Sequence, residues 1–118
     1  MLENIIEISI LYDLYGELLP ERQREIFRLY HEDNYSLSEI GEEFGISRQA
    51  VHEAVKRSEE KLTEYERKLG LAQKFRATEV VLDIINQSIC GIEKEYPQES
   101  GLAKKLHIMK EAIVSLER

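Results

Sequence analysis

One cysteine, Cys90, stands in the 118 residues, so no intramolecular disulfide can form. It lies in an apolar run and is expected to be a buried, inert thiol in a reducing, cytoplasmic setting. Only two prolines occur, Pro20 and Pro97, and no alternating β-branched runs are bounded by turn signals. Long spells of Glu, Lys, Leu, Ile and Arg recur at helical spacing instead, so an all-α protein is expected. The opening MLENIIEISILYDLYGELLP has no basic leader before its apolar residues, and Glu7 and Asp13 interrupt the run. It reads as neither signal peptide nor membrane span, and a soluble protein without membrane contact is expected. There is no GxGxxG or Walker-type loop. His31, His52 and His107 have no His or Cys partner at metal-ligand spacing, which places them at the surface or its boundary. The adjacent pairs Glu42–Glu43 and Glu59–Glu60 diverge on a helix and form no catalytic dyad. No enzyme activity, cofactor or metal is expected.

Positive charge is also scarce. Lys and Arg number 16 against 23 Asp and Glu, a formal net charge of -7. Such a field repels phosphate at long range, which excludes indiscriminate adhesion to nucleic acid.

What is present is a series of amphipathic helices. The length suits one domain, or a small domain with an appendage. Leu2 to Tyr15 is apolar over a broad arc and is expected to pack on more than one side. Gly16 would end it in left-handed geometry. Pro20 and Glu21 suit the first turn of a second helix, whose buried stripe would be Ile26, Phe27 and Tyr30. In YSLSEIGEEFGISRQAVHEAVKR, Ser36 and Glu39 form a Ser-x-x-Glu capping box for a third helix with Ile40 and Phe44 inward. Gly45 breaks that helix, Ile46 dips into the core and Ser47 caps a fourth helix, expected from Arg48 to about Leu69. This is a helix, a tight turn with glycine, and a helix.

The fourth helix turns Val51, Val55, Ser58, Leu62 and Tyr65 inward, and Gly70 follows it. At about 100° per residue, Gln49, Glu53, Lys56 and Arg57 then face outward, flanked by Arg48 and His52. Each has base chemistry: Gln49 suits adenine, Glu53 the cytosine amino group, Arg48 or Lys56 guanine or phosphate. As ordinary solvated helix residues they would look the same. About three to five phosphate contacts per subunit would give weak, salt-sensitive binding unless the protein is a dimer. Beyond Gly70, ATEVVLDIINQSICGIEKEY offers Val81, Ile84, Ile85, Ile89 and Ile92. After a break at Pro97 to Gly101, LAKKLHIMKEAIVSL offers Leu102, Leu106, Met109, Ile113 and Leu116. These predict a C-terminal helical hairpin over 71–118, following a helix-turn-helix domain over 1–70. The last stripe alternates spacings of four and three, which suits intrachain packing, a homodimer or a heterologous partner.

The span from Leu18 to Leu62 resembles region 4 of sigma-70-type transcription factors, a helix-turn-helix that reads promoter DNA. Through LYDLYGELLP, LYHEDNYSLSEIGEEFGISRQAVHEAVKR and LTEYERKLGL the whole chain is similar to the YlxM family of small bacterial helix-turn-helix proteins, less so after Phe75. The resemblance implies a sigma-70 region 4-like helix-turn-helix bundle and a regulatory, DNA-binding protein. The family's genes tend to lie beside those for the signal recognition particle (SRP) and its receptor, which implies a part in that pathway. An alternative is a protein-interaction module that binds no DNA and meets SRP components through acidic faces. By position, the sigma pattern puts base-edge reading on Arg48, Gln49, His52 and Glu53, and backbone contacts on Lys56 and Arg57. Ala50, His52 and Glu53 depart from that pattern, which is often basic or neutral polar there, and this weighs against tight promoter binding.

Overall fold

The computed structural model describes residues 2–116. Among these, six α-helices and one short 3-10 turn make up the regular structure: α1 Leu2–Tyr15, the 3-10 turn Gly16–Leu18, α2 Glu21–His31, α3 Leu37–Phe44, α4 Arg48–Leu69, α5 Leu71–Glu95 and α6 Ser100–Leu116. The fold is all-α, as its composition implies. Contacts divide the chain into two units, one running to Ala72 and one starting at Gln73.

In the first unit α4 packs against α1, α2 and α3, and its inward residues feed two apolar clusters. Val51 and Val55 meet Ile26 of α2 and Ile40 of α3. Leu62 meets Leu11, Tyr15, Leu19, Phe27 and Ala72. The Phe27 ring is fully buried between two others, with centroids 4.9 Å from Tyr12 and 4.2 Å from His31. Ser58 is the one buried polar side chain among the described residues; its hydroxyl donates to the Ala54 carbonyl at 2.9 Å, so it leaves no donor unmet inside the core.

The structure departs from the sequence-based expectations at α1, Gly16 and Tyr30. Within the first unit α1 packs by one face and not on more than one side: Leu11 and Tyr15 are buried, while Ile5, Ile6 and Ile10 are exposed. Its principal helix contact in this unit is α4, which takes only one face of it. Gly16 is not left-handed; positive φ among the described glycines falls at Gly45 and Gly70. What Gly16 supplies is room, since a Cβ there would lie 3.0 Å from the Tyr12 ring. Tyr30 lies outside the buried stripe of α2 and packs edge-on against His31 instead.

Gly70 closes α4 at φ 63°, ψ 25°, its N–H donating to the Glu66 carbonyl. Helix α5 begins one residue later, six residues before the run that predicted it. Its first amide groups are met by a polar cluster. The Tyr15 hydroxyl donates to Glu66 Oε1 at 2.7 Å and accepts the Leu71 N–H at 3.1 Å, while Glu66 Oε1 also accepts the Ala72 N–H at 3.0 Å. A helix N-terminus needs acceptors for its orphan donors, and one carboxylate and one phenol provide them. Burial, reinforced by the bond to Glu66, pushes the Tyr15 hydroxyl above its ordinary range.

The second unit is the hairpin of α5 and α6. Its seam is Leu82 and Ile89 against Leu106 and Ile113, with Leu102 partly buried and a Lys110–Glu93 ion pair at 2.6 Å. Val81, Ile84, Ile85 and Ile92, expected in the seam alongside Ile89, are exposed, as are Met109 and Leu116 of the α6 stripe. Choosing the Leu82–Ile89 line as the buried one turns its neighbour Cys90 outward, so the thiol is exposed rather than buried. Among the described residues no helix is long and apolar enough to cross a membrane.

Candidate nucleic-acid interface

The helix-turn-helix is built by local rules. At the start of α3, Ser36 Oγ accepts the Glu39 N–H at 3.0 Å and Glu39 Oε1 accepts the Ser36 N–H at 3.0 Å, a complete capping box. The hydrogen bonds from Ser36 hold the Glu39 carboxyl below its usual range. Glu39 therefore serves as a structural cap; all three glutamates on α3 are exposed and without an ion-pair partner among the described residues, and Glu42 and Glu43 lie outside the capping box.

The turn has two glycines with different duties. Gly45 takes φ 67°, ψ 36°, the left-handed geometry that only glycine adopts freely, and its N–H donates to the Gly41 carbonyl. Gly41 sits where the turn crosses back over α3. A Cβ there would lie 2.7 Å from the Ile46 carbonyl oxygen, and the Ile46 N–H donates to the Gly41 carbonyl at 2.9 Å. Its role is invisible in a helical pattern, where glycine registers only as a weak helix former; the crossing of two backbones requires it. The Arg22 guanidinium lies 5.8 Å from the centre of the Phe44 ring, tying α2 to the end of α3.

Ser47 Oγ accepts the Ala50 N–H at 3.0 Å and so starts α4. With Val51 fully buried and Val55 nearly so, the rotation of α4 is fixed. Arg48, Gln49, His52, Glu53, Lys56 and Arg57 are all exposed. Arg48, Gln49 and His52 are gathered with Leu37 around one shallow depression, and His52 and Lys56 border a second with Tyr30 and Glu59. Glu53 and Arg57 belong to neither. The three cations Arg48, Lys56 and Arg57 have no ion-pair partner among the described residues, and one carboxylate, Glu53, shares their stretch of helix. In a chain with 23 acids to 16 bases, this is a locally cationic face. The neighbouring Glu59 is engaged by His31, whose Nε2 lies 2.9 Å from its Oε1. His31 is thus a boundary residue, and His52 and His107 lie at the surface.

Two helices joined by a glycine turn, the second leading with its N-terminal half into solvent, define a helix-turn-helix protein. A family model described as "Putative helix-turn-helix protein, YlxM / p13 like" matches residues 2–101, and the chain belongs to this family, UPF0122. A UPF0122 protein of Desulforamulus reducens is 42% identical over 108 residues, 91% of each chain. One of Bacillus cereus is 39% identical over 118 residues, covering all of this chain and 98% of the relative. Another, of Listeria innocua, is 43% identical over 83 residues, 70% of this chain and 76% of the relative.

Proposed function

We propose that this UPF0122 protein is a regulator that binds DNA through the N-terminal half of α4, and that it acts in the signal recognition particle pathway. The observation that carries the DNA reading is the set of three exposed cations, Arg48, Lys56 and Arg57, without an ion-pair partner among the described residues, on the face that also presents Gln49 and His52. Guanidinium and ammonium groups without internal partners are available for phosphate and guanine, and Gln49 for adenine. In this reading Arg48, Gln49, His52 and Glu53 face base edges, and Lys56 and Arg57 the backbone. Family membership, with the gene neighbourhood that the YlxM resemblance implies, supports the pathway.

The test is selection from a pool of random and native genomic duplexes at low and near-physiological salt. Enrichment of a common site that survives the higher salt is expected. Replacing Arg48 and Gln49 by alanine should then cost about 1–3 kcal/mol per lost base contact. Retention that is blind to sequence and vanishes with salt, or binding unchanged in that double variant, would overturn the reading.

A second reading rests on Glu42 and Glu43, which are exposed and have no ion-pair partner among the described residues. Here the helix-turn-helix is a scaffold whose acidic α3 face meets a basic partner, with SRP components as the candidates. Reversing charge at Glu42 and Glu43 should slow association with that partner. Glu39 is left alone, because changing it breaks the capping box.

A further inference from the structure

The hairpin seam uses one line of α5 and leaves another unused. At 100° per residue, Lys74, Thr78, Val81, Ile85, Ser88, Ile92 and Glu95 follow one another at alternating steps of four and three, the spacing of a helix-pairing seam. Its middle is open and, Ser88 apart, apolar: Val81, Ile85 and Ile92 on the line, with Ile84 flanking it, are 36–59% exposed. Projection from the Leu106–Ile113 line of α6 brings Met109 and Leu116, also exposed, to the same side of the hairpin.

We propose that this stripe is the contact face of a homodimer in which α5 packs antiparallel on α5 of a second copy. Three observations single out that occupant. The first is area: these six side chains expose apolar surface on the order of 500 Å² per copy, at the upper end of what isolated monomers carry and more than half of the ~800 Å² each partner buries in a standard interface.

The second is self-complementarity. A two-fold axis between Asn86 and Gln87 sets Val81 against Ile92 and Ile85 against Ser88 of the second copy, so apolar groups meet in both halves, as an isologous contact requires.

The third is charge. The same axis brings Lys74 at the start of α5 to the Glu95 and Glu99 end of the other copy. None of these three has an ion-pair partner among the described residues. A parallel arrangement would set Lys74 against Lys74. The contact needs no nucleic acid and stands apart from the DNA reading. Cys90 projects from the far side of α5, so its thiol stays free in the dimer and can carry a label.

Sedimentation equilibrium of the full chain without nucleic acid is the test. A monomer–dimer equilibrium is expected, weakened at least about tenfold by Val81→Glu or Ile85→Glu, with helicity by circular dichroism unchanged because both side chains are already exposed. Lys74→Glu should weaken the dimer about three- to tenfold at low salt, and adding Glu95→Lys and Glu99→Lys should restore it. A monomer at about 100 µM, whose stripe would then serve another protein, overturns the proposal. So does a dimer indifferent to Val81→Glu and Ile85→Glu, or a Lys74→Glu loss that the acidic-end reversal fails to repair.

Discussion

Replacing Gly41 with alanine tests the turn directly. In an unobstructed helix interior the change is favourable by about 1 kcal/mol, because alanine loses less backbone freedom on folding. At Gly41 the new Cβ would lie 2.7 Å from the Ile46 carbonyl oxygen, and that obstacle is backbone, unable to rotate away. Overpacking of this kind costs about 1–3 kcal/mol. Moving the turn aside also stretches the Ile46 to Gly41 hydrogen bond, for about 1 kcal/mol more. The net expectation is a loss of about 1–3 kcal/mol, roughly 5–20 °C in melting temperature for a domain of this size. Gly91, in the interior of α5, is the control, because a Cβ added there would meet nothing within 4 Å: Gly91→Ala should raise stability by about 0.5–1 kcal/mol. Thermal unfolding by circular dichroism reads both, with amide exchange in α3 and α5 reporting each unit separately. If Gly41→Ala matches Gly91→Ala in sign, the close crossing of α3 and its turn is wrong.

Ser36→Ala should cost about 1 kcal/mol through loss of the capping box, measured by urea unfolding. The pH dependence has a definite sign: the Glu39 pKa is lowered in the folded protein, so its contribution is present above the ordinary value of 4.5 and is lost as pH falls through the lower folded one. A Ser36→Ala protein with the parent's acid sensitivity in that window would refute this. Tyr15→Phe removes the acceptor of the Leu71 N–H but leaves Glu66 to the Ala72 N–H. Amide exchange should accelerate at Leu71 well beyond the change at Ala72, and equal protection in the two proteins would show that the phenol is not the cap.

Much of the helix-turn-helix was legible in the residues because its signals are local. Ser36 with Glu39, Gly45, Ser47 and Gly70 are caps and breakers that act within a few positions, and they bound α3 and α4 as expected. The outward phase of Arg48 to Arg57 followed from the valines that face inward. What escaped depends on partners far away in sequence. Glu66 reads as one more solvated acid until Tyr15, 51 residues away, hydrogen-bonds to it. Gly41 reads as a weak helix position until the turn passes over it. In α5 two apolar lines run side by side, and periodicity cannot say which one α6 covers. The seam took Leu82 with Ile89, and the fate of Cys90 followed from that choice.

Helix α4 runs through both clusters of the first unit, with Val51 and Val55 in one and Leu62 in the other. Its outward half therefore cannot tilt or unwind without opening the core. Whatever docks there meets a backbone already in its bound shape, so the ordering cost of association falls on a few long side chains, about 0.5–1.5 kcal/mol each. Calorimetry of such a rigid encounter would show a heat-capacity change set by the surface covered, with no folding contribution added to it.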